Sequence, residues 1–198
     1  MKKRIIAILL SAALILNMTA CGSNPAISAN AGDIIEFGGY DWQVLDVQDG
    51  KALVLSVRVF TSQPYHDDGG KITWENSSIR EYLNGSFIDD MFTSEEQERI
   101  AETSISNKPN QHYETEGGID TVDKVFLLSI DEAETYFSDN SSRIALNADD
   151  KASRWWLRSP GYISTYVAVV FDVGIVSVYG DFASHIVGGV RPALWLNL

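Results

Sequence analysis

The sequence has one cysteine, Cys21, in 198 residues. A single thiol cannot form an intramolecular disulfide, so the packing of apolar side chains must stabilise the folded chain. Basic residues are scarce as well, because 15 lysines and arginines stand against 27 acidic residues for a net charge of −12. Phosphate backbones repel such an acidic chain, and we therefore expect no nucleic-acid partner.

The sequence also lacks the short motifs that carry most enzyme chemistry. It contains no Gly-x-Ser-x-Gly, Ser-x-x-Lys or His-Glu-x-x-His, and no glycine-rich dinucleotide or phosphate loop. The histidines His66, His112 and His185 are far apart, and none has a second histidine at metal-ligand spacing. Neighbouring acids such as Asp67 and Asp68 point to opposite faces of an extended chain and cannot act as a catalytic pair. We predict no catalytic residue, no metal site and no cofactor.

The N-terminal apolar run is too short for a permanent membrane helix. Residues 5–16 are apolar and follow the basic residues Lys2, Lys3 and Arg4, whereas a transmembrane helix needs about 20 apolar residues. This layout is typical of a secretory signal. Residues 18–21, Met-Thr-Ala-Cys, resemble a lipobox, in which the cysteine is acylated after cleavage.

We therefore predict a lipoprotein signal peptide over residues 1–20. A lipid on Cys21 would then anchor the exported protein to the outer face of the cell membrane, so that membrane lipid is its first predicted partner. The alternative is an ordinary signal peptide followed by a free thiol.

Small and polar residues without periodicity follow, and residues 21–32 are predicted to form a flexible tether. Cleavage of residues 1–20 removes three of the 15 basic residues, and the remaining 12 against 27 acidic ones give a net charge of −15. An anionic membrane surface would repel this charge, so the lipid and not a basic patch is expected to supply the attachment. Residues 33–198 are long enough for one domain with a substantial core.

Alternating hydrophobicity and turn signals predict an α+β domain. Strands are predicted over residues 34–37, 40–47 and 51–60, with hairpin turns at Gly38-Gly39 and Asp49-Gly50. Capping residues predict three short helices, over about residues 77–84, 93–102 and 129–137, with a buried strand over residues 121–130. The C-terminal third predicts a strand over residues 154–158, a hairpin about Gly174 and a closing strand over residues 190–196. Pro192 lacks a donor, which favours an edge position or a bulge for this last strand.

Five segments resemble, in the same order, an uncharacterised domain family found mainly in exported and surface proteins of Gram-positive bacteria. They are FGGYDWQVL (37–45), TWENSSIREYLN (73–84), DKVFLLS (123–129), WWLRSPG (155–161) and GVRPALWL (189–196). The last two are also similar to C-type-lectin-like folds of the formylglycine-generating-enzyme kind. These resemblances imply one domain with a mixed, mainly antiparallel sheet, short helices and long loops, in which the first and last strands come close together. They imply no activity.

Core strands contain the residues for which we predict a structural role: Trp155, Trp156, Arg158, Arg191 and Trp195. Because Trp155 and Trp156 are adjacent, they should point to opposite faces, so that one faces outward or lies beneath a loop. A buried guanidinium needs acceptors, and we expect Arg158 and Arg191 to bond carboxylates or carbonyls, with anion binding as the alternative.

The predicted ligand-binding residues are Tyr65, His66 and Trp74, in a region rich in Gly and Asp. Aromatic residues on loops often form binding surfaces, although a loop tryptophan can equally close the edge of a core.

These observations predict a non-catalytic cell-surface binding module whose ligand is a glycan or a surface protein. Fold resemblance does not fix function, and two alternatives stay open. One is a hydrolase or transferase that acts on cell-wall or dietary polymers through carboxylates gathered by the fold. The other is a structural or accessory lipoprotein without a ligand of its own. Two carboxylates about 5 to 10 Å apart in a pocket would favour the enzyme.

Overall fold

The computed structural model describes residues 29–198. The predicted signal peptide, Cys21 and residues 21–28 of the predicted tether lie outside the described residues. The strands, most of them short, are β1 (Ile34–Phe37), β2 (Tyr40–Gln48), β3 (Lys51–Ser56), β4 (Thr61–Ser62), β5 (Ile100–Ala101), β6 (Thr103–Ile105), β7 (Thr121–Asp123), β8 (Val125–Phe126), β9 (Ala145–Leu146), β10 (Ala152–Ser153), β11 (Trp155–Pro160), β12 (Tyr166–Val170), β13 (Val176–Phe182), β14 (Gly189–Val190) and β15 (Ala193–Asn197). The helices are α1 (Ser78–Leu83), α2 (Ser86–Met91), α3 (Ser94–Arg99), α4 (Ile130–Thr135) and α5 (Asn140–Arg143), and a 3-10 turn spans Trp74–Asn76.

The N-terminal hairpins and the last strand form the first sheet. Its order is β1-β2-β3-β15-β5, and β8 also pairs with β15. The strands β15 and β3 are antiparallel, with Ala193 opposite Leu55 and Asn197 opposite Lys51. The predicted proximity of the N-terminal and C-terminal strands is therefore confirmed, through the pairing of β3 with β15. The prediction of an edge position for the last strand is wrong, because β15 has neighbours on both sides.

The second sheet has the order β13-β12-β11-β14-β4. Its pairs are antiparallel except for β11 and β14, which run parallel at Trp155 and Gly189. The chain passes from the second sheet into the first at Arg191 and Pro192, between β14 and β15. Proline fits here because residue 192 lies between the two strands, so that neither strand lacks an N–H donor. Its carbonyl still accepts from the Ser56 N–H at 2.9 Å. One strand was predicted over residues 190–196, with an edge position or a bulge at Pro192; instead, the chain forms two strands that are separated at this proline.

Local hydrogen bonds begin the helices as predicted. The Ser77 side chain accepts from the Arg80 N–H at α1, and capping boxes begin α3 at Thr93 and α4 at Ser129. The predicted extents are less accurate. The helix α3 ends at Arg99, and residues 121–130 contain two short strands and the start of α4 instead of one strand.

Four tryptophans fill the core, and each indole N–H has an acceptor. Trp42 donates to the Phe37 carbonyl and Trp74 to the Asp123 carboxylate. Trp155 donates to the Arg143 carbonyl and Trp156 to the Gln63 carbonyl. Both Trp155 and Trp156 are fully buried, so neither faces outward. The result is a single domain of mostly antiparallel sheets with few short helices, which agrees with the predicted α+β class.

Candidate ligand-binding site

A group of tyrosines lies on the outer surface of the second sheet. We call Tyr113, Tyr162, Tyr166 and Tyr179 the tyrosine cluster. The rings of Tyr162 and Tyr179 stack at 4.0 Å between centroids and 8° between planes. Tyr166 meets both rings edge-on, and so does Tyr113. Phe182 extends the group, with its centroid 4.2 Å from that of Tyr166.

A bulge in β13 places Tyr179 in this cluster. Val167 pairs with Asp181 and Val169 with Ser177, so β13 has two more residues than β12 over this stretch. Gly180 adopts a φ of 81°, and a Cβ there would lie 2.3 Å from the Val167 carbonyl oxygen. Glycine is therefore required for the bulge that turns Tyr179 outward.

The turn after β11 brings Tyr162 against Tyr179. The Tyr162 N–H donates to the Tyr179 carbonyl at 2.9 Å. Gly161 allows this approach, because a Cβ at that position would lie 2.5 Å from the same carbonyl oxygen. The turn and the bulge together hold the stacked pair in place.

The cluster is exposed and uncharged at neutral pH. Tyr113 and Tyr179 keep 44% and 47% of their surface exposed. The hydrogen bond with the Tyr162 side chain, together with desolvation, raises the pKa of Tyr179 to about 12. Desolvation and the neighbouring Tyr162 raise the pKa of Tyr166 as well. The cluster therefore offers apolar ring surface and neutral hydroxyl groups to a ligand.

A cleft of about 300 Å³ is lined in part by the loop that carries Tyr113. Residues 103–112, the start of α4 and the end of β11 line it. At its wall the Arg158 guanidinium donates to both carboxylate oxygens of Glu132, and its Nη1 also donates to the Leu127 carbonyl at 2.8 Å. Asp131 lies at the mouth, 3.4 Å from the Lys108 ammonium.

The Glu132 carboxylate is held in its ionised form. Burial opposes ionisation, but hydrogen bonds and charge from Arg158, with hydrogen bonds from Ser129, outweigh it and lower the pKa of Glu132. A general acid needs a raised pKa near neutrality, so Glu132 is unsuited to that role. Instead, Glu132 neutralises the buried Arg158, for which we predicted carboxylate or carbonyl partners.

Two polar atoms on residues that line the cleft have no hydrogen-bond partner among residues 29–198. They are the Arg158 Nε and the Asn107 Oδ1. An unpartnered buried polar atom costs about 1–3 kcal/mol of stability, and native structures contain few of them.

The structure corrects the expected placement of two predicted ligand-binding residues. Tyr65 and Trp74 are buried, with ring centroids 6.3 Å apart, and Tyr65 also contacts Trp156. The Tyr65 hydroxyl donates to the Arg158 carbonyl, and burial raises its pKa. The Trp74 indole donates to Asp123, whose side chain is fully buried. Both rings thus close the core beneath the loop, and neither forms a groove on the surface.

His66, the third predicted ligand-binding residue, is partly exposed and contacts α1. Its Nδ1 accepts from the Ser78 N–H at 3.3 Å and lies 3.0 Å from the Ser78 Oγ, while its Nε2 lies 3.5 Å from the Asp68 carboxylate. The order of serine, histidine and carboxylate resembles an activated nucleophile. However, the Ser78 Oγ also accepts from the Asp67 N–H, and neither His66 nor Ser78 lines the cleft. We assign this contact to anchoring the loop on α1.

Arg191 is buried, as its predicted structural role requires. Its Nε donates to the Ser56 carbonyl at 2.9 Å and its Nη1 to the Arg143 carbonyl at 3.4 Å. Its guanidinium carbon lies 5.0 Å from the Trp155 ring centroid. Carbonyls and an aromatic face therefore solvate this cation. Trp195 is partly buried in β15 and lines the cleft.

The sequence reasoning missed the tyrosine cluster. Three of its members, Tyr162, Tyr166 and Tyr179, lie in a span of 18 residues at the predicted hairpin. This density of tyrosines is a signal of an aromatic surface that the sequence contains. Their side chains can be assigned to one face only when the register of β12 and β13 and the bulge at Gly180 are known. The alternation of apolar and polar residues in the sequence predicts neither.

Within residues 29–198, no helix is long and apolar enough to cross a membrane. The same part of the chain contains no group of three or more His, Cys, Asp or Glu residues placed to hold a metal ion.

The fold and the tyrosine cluster define a small antiparallel-sheet domain with an exposed aromatic surface. Residues 49–198 match the family model described as "Domain of unknown function (DUF6273)", and the chain belongs to this family. The matched range includes β3 to β15, the cleft and the whole tyrosine cluster. No curated protein and no solved structure matches the chain.

Proposed function

We propose that this protein is a non-catalytic binding lipoprotein of the cell surface and that its ligand is a glycan that stacks on the tyrosine cluster. One observation carries this proposal. Four tyrosines and Phe182 contact one another on one surface, and Tyr113, Tyr179 and Phe182 are exposed there. Exposed apolar surface of this kind marks interaction sites.

The chemistry of the cluster favours a neutral glycan over other ligands. A sugar ring has an apolar C–H face that packs on an aromatic ring, and hydroxyl groups that bond a neutral phenol. A phenol with the ordinary pKa of about 10 is already uncharged at neutral pH, and the pKa values of Tyr166 and Tyr179 are raised further. The proposed mature chain would repel an anionic ligand, since its net charge without residues 1–20 is −15.

We also propose a C-type-lectin-like arrangement for the domain. The pairing of β15 with β3 and the long loop between β6 and β7 support it. By analogy, such an arrangement would bind its ligand at the loops, and the tyrosine cluster supplies the specific surface.

Export and anchoring are part of the same proposal. The basic residues Lys2, Lys3 and Arg4, the apolar run over residues 5–16 and the lipobox-like residues before Cys21 support them. Growth with an alkyne-labelled fatty acid should label the parent protein, and Cys21→Ser should remove the label and release the protein from the membrane fraction. An unlabelled parent would contradict the lipid anchor.

A binding test with matched variants addresses the ligand. The purified full-length protein would be run in affinity gels that contain neutral polysaccharides, with Tyr113→Ala, Tyr179→Ala and the control Tyr40→Ala. Tyr40, at the start of β2, is also exposed, but its ring contacts Phe60 and not the cluster. We expect either cluster variant to weaken binding by about tenfold, or about 1.4 kcal/mol, and the control to bind like the parent.

Other outcomes would favour the alternatives. Release of reducing ends from a bound polysaccharide would show a hydrolase. Binding of a surface protein, lost in Tyr179→Ala, would replace the glycan by a protein ligand. Failure to bind any polysaccharide or protein would favour an accessory lipoprotein.

A further inference from the structure

Two rings of the tyrosine cluster lie parallel and in contact, and this geometry favours a covalent bond between them. The ring centroids of Tyr162 and Tyr179 are 4.0 Å apart, with 8° between the ring planes. Because the Tyr162 N–H donates to the Tyr179 carbonyl at 2.9 Å, both side chains leave adjacent backbone positions and extend in the same direction. Their hydroxyl groups therefore lie at the same end of the stack, and the ring carbons ortho to these hydroxyls face each other.

Among residues 29–198, no other pair of tyrosine rings is stacked in this way. Tyr113 and Tyr166 meet the stacked rings edge-on, with interplanar angles from 74° to 84°. Outside the cluster, the aromatic partners of Tyr40 and Tyr82 are phenylalanines, which have no phenol group. The stacked pair is thus the place where two phenol rings are best arranged to couple.

The coupling of two phenols is an oxidation. Loss of one electron and one proton converts a tyrosine into a phenoxyl radical, whose unpaired electron is shared between the oxygen and the ortho carbons. Two such radicals on the stacked rings combine through their ortho carbons, and one C–C bond forms. The hydrogen atom on each of these carbons then moves to the phenolic oxygen, which restores both hydroxyl groups. The pair loses two hydrogen atoms in total, and hydrogen peroxide, activated by a haem peroxidase, takes them up and is reduced to two water molecules.

The cluster also connects the stacked pair with the solvent. Tyr113 and Tyr179 keep 44% and 47% of their surface exposed, so a peroxidase reaches either ring directly. The centroid of Tyr113 lies 6.2 Å from those of Tyr162 and Tyr179, a contact distance over which an electron passes readily between rings. The exposure of Tyr179 also leaves its ring room to turn as the new bond forms.

We propose that Tyr162 and Tyr179 are an oxidative modification site, at which a haem peroxidase and hydrogen peroxide join the two rings in a dityrosine cross-link. The bond would tie the turn after β11 to the bulge in β13 within one chain. A covalent cross-link restricts the unfolded chain, and a protein with a single cysteine cannot obtain one from an intramolecular disulfide. This inference does not depend on the proposed glycan binding.

Oxidation of the dilute, purified full-length protein with hydrogen peroxide and a haem peroxidase tests the proposal. We expect a monomer that has lost two hydrogen atoms by intact mass and that shows dityrosine fluorescence. Digestion on the N-terminal side of aspartate residues separates the two tyrosines, because Asp172 lies between them. We expect peptides 150–171 and 172–180 to stay joined, and fragmentation should place the bond at Tyr162 and Tyr179.

Two matched variants isolate the stacked pair. Tyr162→Phe keeps the ring but has no phenol to oxidise, and it should lose the bond between the two peptides. Tyr166→Phe removes an edge-on phenol from the same cluster and the same peptide, and it should keep the bond. Each substitution removes only a hydroxyl group, and thermal melts show whether both variants are folded.

Three results would overturn the proposal. The first is a bond between the two peptides that persists in a folded Tyr162→Phe variant. The second is an intramolecular bond in the parent that fragmentation places at Tyr113 or Tyr166. The third is a parent that forms no internal bond, or only cross-linked dimers, under conditions that convert free tyrosine into dityrosine. The digest of the parent decides the matter even where a variant does not fold.

Discussion

Replacement of Arg191 by alanine should lower the free energy of unfolding by about 2–4 kcal/mol. The Arg191 Nε–H bond to the Ser56 carbonyl has a charged donor, and such bonds contribute about 1.5–3 kcal/mol. Contact with the rings of Trp155 and Phe137 adds about 0.5–2 kcal/mol. Burial of the cation opposes these gains and lowers its pKa to about 9. Loss of the Arg191 donor leaves the Arg143 carbonyl hydrogen-bonded, because this carbonyl also accepts from the Trp155 indole.

Urea unfolding and thermal melts of the purified protein measure this loss. For a domain of this size the melting temperature should fall by about 4–16 °C. Because the folded and unfolded chains both keep the Arg191 proton below about pH 9, the loss should be the same at pH 6 and pH 8. The control Arg191→Met retains most of the apolar stem and should recover about 1–2 kcal/mol, since each buried methylene contributes about 0.8 kcal/mol.

Two results would refute this reasoning. An Arg191→Ala variant that unfolds like the parent would show that the carbonyl and ring contacts contribute no net stability. A variant that melts like the parent but no longer binds polysaccharide would place Arg191 in the ligand site.

Three further predictions concern other contacts. Glu132→Gln should reduce the loss of stability below about pH 4.5. The lowered pKa of Glu132 stabilises the fold above that pH, and this stabilisation is lost when the carboxylate is protonated. Urea unfolding of parent and variant at pH 5 and pH 3 measures the difference. Tyr162→Phe should bring the pKa of Tyr179 from about 12 toward 10, and a Tyr179 ring resonance that still titrates near 12 in NMR would contradict the hydrogen bond. Trp74→Phe should cost about 1–3 kcal/mol in urea unfolding, since it removes a donor to the buried Asp123, and should leave polysaccharide binding unchanged. A Trp74→Phe variant that loses binding but keeps its stability would show that Trp74 is a ligand-binding residue.

Local sequence determined the features whose hydrogen bonds close within a few residues. The capping boxes at Thr93 and Ser129 and the hairpin at Asp49-Gly50 are read from short patterns and are present in the structure. Local reasoning also marked Pro192 as an irregular position in the last strand, but it predicted an edge or a bulge and not the separation into β14 and β15. The structural role of Arg158 was also predictable, since a guanidinium in an apolar strand requires acceptors.

Tertiary structure decided which aromatic residues are buried and which are exposed. Tyr65 and Trp74 lie in a polar segment that suggested a surface, yet contacts with Trp156 and Asp123, each more than 45 residues away along the chain, draw them into the core. The tyrosine cluster depends on the pairing of β12 with β13, and a shift of one residue would turn its side chains to the other face. The cleft likewise joins Asn107 and Arg158 from distant segments. Such sites depend on strand register and long-range packing, which a single sequence read locally does not specify.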